Sequence, residues 1–204
     1  MKTLVFATQN KHKIEEINAV LQTNMVQQQN PIWNIIGLAE INCFEDIHET
    51  SDTLEGNALQ KALYVKNNFG HDCFADDTGL EVDALDGRPG IYSARYAGSH
   101  RSFDDNISKI LEELKDERIR NARFRTVVAL VLGSDHYFFE GKVEGRIIHE
   151  RHGSSGFGYD PVFVPDGFEK TFAEMTLDEK NQISHRALAV KKLINFLKTY
   201  DSHR

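Results

Sequence analysis

Two aspartates stand side by side in "FADDTGLEVDAL" (residues 74–85), between an apolar entry and a Thr-Gly turn, at the end of a predicted strand. Adjacent like charges repel, and burying them without partners is costly. A hard divalent cation would supply the missing positive charge. Mg²⁺ prefers carboxylate oxygens and binds together with phosphates. Glu49, in "IHETSDTLEGNA", precedes a predicted helix and is a further candidate carboxylate. Asp76, Asp77 and Glu49 are therefore the candidate metal ligands. The alternative is an Asx-type turn leading to Gly79, with Glu49 on the surface.

Three other stretches carry chemistry. In "ATQNKHK" (7–13) a strand runs through a turn into a helix N-terminus. Free backbone N–H groups there favour an anion, and Lys11 and Lys13 add charge. Thr8 and Asn10 can donate to phosphate oxygens. The stretch lacks the glycines of a P-loop, so a plain helix cap with solvated lysines stays open. In "SGFGYDP" (155–161) the glycines let backbone approach a ligand, and Phe157 and Tyr159 offer a face to a planar base. The alternative is a tight turn with its aromatics in the core. In "EKNQISHRA" (179–187) Lys180, His185 and Arg186 converge before the last helix, or else Ser184 caps that helix and the basic residues are solvated. Together the four stretches supply a phosphate turn, a metal-binding acidic pair, an aromatic loop and a donor-rich base reader. That set describes a site for a nucleoside triphosphate.

The elements that must position these residues follow from periodicity. "TLVFA" (3–7) and "WNIIGL" (33–38) read as strands. Between them lies a helix with Ile14, Ile17 and Leu21 inward and Glu15 and Glu16 facing away. "QTNMVQQQNP" (22–31) reads as a polar connection. A second helix starts at Thr53, its N-cap, with Leu54, Ala58, Ala62 and Val65 inward, and ends at Gly70. "DCFADD" and "LEVDAL" read as strands on either side of the Thr-Gly turn. "GRPGIYSARYAG" (87–98) reads as a loop. Ser102 caps a third helix, with Asp105 as its box partner and Ile107, Ile110, Leu111 and Leu114 as its stripe. "RFRTVVALVLG" and "HYFFEGKVEGRIIHE" form a hairpin about Gly133-Ser134-Asp135. "HGSSGFGYDPVFVPDG" (152–167) is a glycine-rich loop. The last helix, from Ser184, turns Val190, Leu193, Ile194 and Leu197 inward. Strands alternate with helices before a hairpin intrudes, so a mixed α/β sheet is expected.

The 204 residues suffice for one large domain or two small lobes. A formal charge of -7 argues against a general nucleic-acid binder. Two cysteines are too few for a disulfide framework and fit a reducing cytosol. The opening "MKTLVFATQNKHK" turns polar within a few residues, so neither a signal peptide nor a membrane span is expected.

The motifs "ATQNKHK", "ADDTGLEVDALDGRPGIYSARYAG", "GFGYDPVF" and "EKNQISHR" resemble, in order and over nearly the whole chain, those of the inosine triphosphate pyrophosphatase family. The resemblance implies hydrolysis of ITP, dITP and XTP to monophosphate and pyrophosphate with Mg²⁺, in the cytoplasm, by a homodimer that binds neither nucleic acid nor membrane. It implies one pyrophosphatase domain over residues 1–204, built as an elongated mixed β-sheet flanked by helices, in two lobes with the cleft between them. Asp77 and Lys61 become the catalytic residues, with Asp77, Asp76 and Glu49 on the metal. The turn Thr8, Gln9, Asn10, Lys11, His12 and Lys13 goes to the substrate, with Thr8, Asn10 and Lys13 on the phosphates. Thr78 touches the substrate, and Phe157, Gly158, Tyr159, Asp160, Lys180, His185 and Arg186 hold base and sugar. Thr78, Gln9 and Ser155 depart from the usual serine, small residue and glycine, and residues 22–32 form a longer stretch without a role. Two rivals remain: a nucleotide-binding sensor without turnover, and a general phosphatase releasing orthophosphate.

Overall fold

The computed structural model describes residues 2–25 and 33–200. The chain divides into two compact units, one drawn from Met1–Asp77, Thr126–Gly141 and Arg186–Arg204, the other from Thr78–Arg125 and Lys142–His185. Among the described residues one mixed sheet has the strand order β2 (Trp33–Gly37), β1 (Lys2–Phe6), β3 (Cys73–Val82), β5 (Asn121–Leu132), β6 (Asp135–Ile147) and β7 (Phe163–Pro165), with a short β4 (Pro89–Gly90) paired to β3. The α/β class expected from the sequence is the class found.

In the first unit, β1 (Lys2–Phe6) lies between β2 (Trp33–Gly37) and β3 (Cys73–Val82), parallel to both. Strand alternation sends neighbouring side chains to opposite faces. Leu4, Phe6 and Phe74 share a core with Ile17 and Val20 of α1 (Lys11–Met25) and with Val190 and Leu193 of α5 (His185–Tyr200). Phe6 and Phe74 stack there at 4.7 Å. Val5, Ala7, Cys73 and Ala75 share the other core with Ala62 and Val65 of α2 (Leu54–Phe69). Burial on both faces explains why β1 is a continuous apolar run. α1 follows β1 on one face and α2 precedes β3 on the other, so the winding reverses between β1 and β3. In open α/β sheets a ligand crevice forms at the carboxyl ends of strands flanking such a reversal. The helix limits have local causes. The Thr53 side chain accepts from the Gly56 N–H to cap α2, and Gly70, at φ 74°, ends it.

The second unit holds the rest of β3, antiparallel β4 (Pro89–Gly90), α3 (Phe103–Glu113), parts of β5 (Asn121–Leu132) and β6 (Asp135–Ile147), β7 (Phe163–Pro165) and α4 (Leu177–Ile183). Its core gathers Leu80, Val82, Ile107, Ile110, Phe124, Phe163 and Phe172. Ser102 caps α3 as expected, but the Asp105 carboxylate turns to His100 at 2.8 Å.

Three expectations are corrected and one helix is added. β3 runs unbroken through Thr78-Gly79, with no turn. Gly79 is there for closeness: a Cβ would lie 2.7 Å from the Gly90 carbonyl oxygen on β4. The stretch 152–167 contains β7, paired antiparallel with β6 through Ile147↔Phe163. "LDEKNQI" is a helix, closed at its start by a Thr176–Glu179 capping box. α1 continues to Met25, so the connection expected from residue 22 does not begin there, and residues 26–32 lie outside the described residues.

Candidate active site

β3 resolves the repulsion between its two aspartates. Consecutive residues on a strand point to opposite faces, so Asp76 joins the α1/α5 side and Asp77 the α2 side. Each meets cations from a different helix layer of the first unit.

Asp76 is wholly buried. Its Oδ2 lies 3.0 Å from Lys13 Nζ and accepts from Arg186 Nε at 3.1 Å. Arg186 also donates through Nη1 to Glu16, which is 4% exposed. Burial by itself would raise the Asp76 carboxyl; Lys13, Arg186 and Lys61 outweigh it and hold it well below the usual carboxylate range. Burial lowers Lys13, and although Asp76 opposes this, Lys61 and Arg186 add to it. Lys13 is thus a cation crowded by cations, a setting that an arriving anion relieves. The expectation that Glu16 faces away is corrected. It lies on the buried side of α1 because Arg186, far along the chain, supplies its counter-charge.

Asp77 faces Asn57 and Lys61, one turn apart on α2. Asn57 Nδ2 donates to Asp77 Oδ2 at 3.1 Å, and Lys61 Nζ is 3.9 Å from Oδ1. Lys61 also pairs with Glu49. Burial and the Glu49 charge push the Asp77 carboxyl up against Lys61, Lys13 and the Asn57 bond, with a net rise. Lys61, lowered by burial, is raised overall by Asp77, Glu49 and Asp76.

The donor chemistry fits a hard cation at Asp77 and Glu49, two carboxylates on one lysine. Among the described residues no three His, Cys, Asp or Glu side chains gather into a metal group. Mg²⁺ needs no such cage, since one or two carboxylates with phosphates and water complete its shell. Asp76 stands apart from this pair, engaged by Lys13 and Arg186.

The turn after β1 is organised by its own side chains. Asn10 Oδ1 accepts from the N–H groups of His12 and Lys13 at 3.0 and 3.3 Å, capping α1, and Thr8 Oγ1 accepts from Asn10 N–H at 3.2 Å. The cap uses the oxygen of Asn10 and leaves its amide end as the donor. Gln9 donates to the carbonyls of Phe44 and Glu45, which is where this larger residue finds its place. Lys11 and His12 are exposed, with His12 near Glu15 at 3.8 Å.

The second unit has its own cluster. Lys180 Nζ lies 2.6 Å from Asp160 Oδ2, with both side chains buried. Asp160 Oδ2 also accepts from the Phe157 N–H at 2.9 Å. Gly156 is required here, because any Cβ would overlap the Asp160 carboxylate. Lys180 Nζ sits 5.3 Å from the centre of the half-buried Phe157 ring. Tyr159 corrects its assignment as a stacking face. It is 3% exposed and its hydroxyl donates to the Ser93 carbonyl at 3.0 Å, so its ring offers no open face. His185 is buried and stacked on Phe124 at 4.6 Å. Gly158, at φ 64°, and half-buried Thr78 complete the assigned set. The expected convergence of Lys180, His185 and Arg186 is not the arrangement seen. Lys180 binds Asp160, His185 stacks on Phe124, and Arg186 binds Asp76 and Glu16. Sequence reasoning passed over Glu16 and Asn57. Asn57 had a readable signal, as a polar residue on the inner face of α2, three residues after Leu54 and four before Lys61.

The winding reverses between β1 and β3, and Lys13, Asp76 and Asp77 all lie past Phe6↔Phe74, the last pair of β1 with β3; in the class of open α/β sheets such a reversal is where ligand crevices form. The chain belongs to the Ham1 family, whose model matches residues 4–196. It is 54% identical over 198 residues to the dITP/XTP pyrophosphatase of Porphyromonas gingivalis, covering 97% of this chain and 98% of that protein. It is 52% identical over 194 residues to the dITP/XTP pyrophosphatase of Flavobacterium johnsoniae, covering 95% and 97%. The solved Ham1 protein of Staphylococcus aureus superposes with a TM-score of 0.85 at 36% identity, covering 98% of this chain and all of that one. The resemblance drawn from the motifs holds.

Proposed function

We propose that the protein hydrolyses non-standard purine nucleoside triphosphates (dITP, XTP and ITP) to the monophosphate and pyrophosphate. The observation that carries this reading is the separation of the two aspartates on β3. Asp76 is neutralised by Lys13 and Arg186, while Asp77 sits with Glu49 around a single lysine. A protein that only bound nucleotide would have little need of a buried carboxylate of raised pKa beside phosphates. The names of the relatives point to the same reaction.

In this reading the capped start of α1, Lys13 and the amide of Asn10 bind the phosphate chain. Lys61 stabilises charge that gathers on the departing pyrophosphate. Asp77 orients the attacking water and accepts its proton, a task favoured by its raised pKa. Asp76 keeps Lys13 and Arg186 in place. Mg²⁺, held by Asp77 and Glu49, would supply charge neutralisation of the phosphates. Phe157 stacks on the base and Lys180 donates to it. The 6-oxo group of inosine or xanthine accepts such a donor, whereas the 6-amino group of adenine does not. The enzyme acts in the cytoplasm as a homodimer, with both units serving one activity. Among the described residues no helix is long and apolar enough to cross a membrane.

The test is incubation with ITP and Mg²⁺, with ATP in parallel. Pyrophosphate from ITP, and about 10⁴-fold lower kcat/KM for ATP, is the expected outcome. Orthophosphate as first product supports a general phosphatase, and binding without turnover supports a sensor.

A further inference from the structure

Asn57 is fully buried on α2, flanked in its stripe by Leu54, Ala58 and Lys61. Its Oδ1 accepts from the Ser51 N–H at 2.9 Å, and its Nδ2 donates to Asp77 Oδ2 at 3.1 Å. The two bonds fix which way the amide points: the oxygen end meets a donor and the nitrogen end an acceptor. Gly56 lets the loop come this close, because a Cβ there would overlap the Ser51 side chain. Ser51 lies two residues after Glu49, and Lys61 lies one helical turn after Asn57. One buried amide therefore joins the loop of Glu49, the carboxylate of Asp77 and the helix of Lys61.

We propose that Asn57 is a positioning residue for the hydrolysis: it holds Oδ2 of Asp77 so that Oδ1 stays directed toward Lys61 and the reacting groups. The inference rests on the hydrolytic reading above. A carboxylate turns readily about its last side-chain torsion. The Asn57 donor engages Oδ2, while Lys61 Nζ lies 3.9 Å from Oδ1. Misplacing a reacting group by about 1 Å costs about 100-fold in rate. The loop itself has other clamps. Gln60 Oε1 accepts from the Thr50 N–H at 3.0 Å, and Gln60 Nε2 donates to Thr50 Oγ1 at 3.0 Å. The Asn57 amide adds to these clamps a bond to Asp77.

Two substitutions separate positioning from loop holding. Asn57→Asp keeps an acceptor for the Ser51 N–H and deletes the donor to Asp77. Asn57→Ala deletes both. For each, kcat and KM for ITP are measured, with the melting temperature and with nucleotide affinity by calorimetry in EDTA, where no turnover occurs. Both variants should lose about 100-fold in kcat, with KM and affinity within about threefold of wild type. Wild-type kcat in Asn57→Asp overturns the proposal. So does a loss in both variants that follows KM, affinity and melting temperature together, since that marks a purely structural role. If Asn57→Asp does not fold, the kcat-against-KM split in Asn57→Ala decides. Absence of turnover in the wild type removes both this inference and the hydrolytic reading, whereas an active wild type with an unaffected Asn57→Asp removes this inference alone.

Discussion

Exchanging Asp77 for asparagine keeps the shape of the side chain and removes its charge. Turnover should fall by about two orders of magnitude or more while the circular dichroism spectrum is unchanged. Near-normal activity would contradict the catalytic role of Asp77. Asp76 predicts a different outcome, because its partners are Lys13 and Arg186, and it lies with Arg186 in the first unit's interior. Asp76→Asn leaves those cations under-compensated and should cost about 3 kcal/mol or more in stability. The sign of its pH dependence follows from the lowered carboxyl. Its contribution is complete above the unfolded-state value of about 3.9 and is lost only as pH falls toward the folded-state one. Urea unfolding should therefore show a constant gap between wild type and variant from neutral pH down to about pH 5, narrowing only below about pH 4. A gap that closed between pH 7 and 5 would contradict the ion-pair account. Asp77 and Lys13 were legible as candidate chemistry from their own motifs, whereas Lys61 entered only through the family resemblance. Glu16 was not, because helical periodicity shows which residues are apolar but not that a carboxylate will meet an arginine from the far end of the chain.

At the scale of elements, the start of α1 makes Lys13 and Lys11 unequal. Lys13 is turned onto Asp76, whereas Lys11 is exposed. Lys13→Ala should reduce kcat/KM by at least about tenfold, and Lys11→Ala by less than about threefold. Equal small losses in steady-state assays would mean that both lysines are merely solvated. On β3, Gly79→Ala forces a methyl group against the Gly90 carbonyl oxygen, which is main chain and cannot swing aside. A loss of about 1–3 kcal/mol in denaturant unfolding is expected, and no loss would show that β3 and β4 are not so close. β1 and α5 were readable from their apolar spacing, and α2 from apolar spacing that agrees with its Thr53 and Gly70 caps. The break assigned to Thr78-Gly79 was a misreading, since glycine signals a turn or a close approach and sequence does not say which. α4 was missed because "LDEKNQI" has too little apolar content for a stripe, although its Thr176–Glu179 box stood in plain view.

At the scale of the whole molecule the candidate residues divide between the two units. The first holds Asn10, Lys13, Lys61, Asp76, Asp77 and Arg186; the second holds Thr78, Phe157, Asp160, Lys180 and His185. The chain passes between the units four times, at Asp77–Thr78, Arg125–Thr126, Gly141–Lys142 and His185–Arg186. The order of motifs along the sequence was legible, but which unit each would serve was not, and Arg186 is the instance. Grouped with Lys180 and His185 by proximity in sequence, it folds onto Glu16 and Asp76 instead. The proposed homodimer is checked by sedimentation at micromolar concentration, where a monomer mass would count against it. The central claim is that water attacks the α-phosphorus and pyrophosphate departs. Hydrolysis of ITP in ¹⁸O-labelled water, followed by ³¹P NMR, tests it most directly. The label should appear in the monophosphate, with unlabelled pyrophosphate as the other product. Label in pyrophosphate, or labelled orthophosphate as the first product, would contradict it.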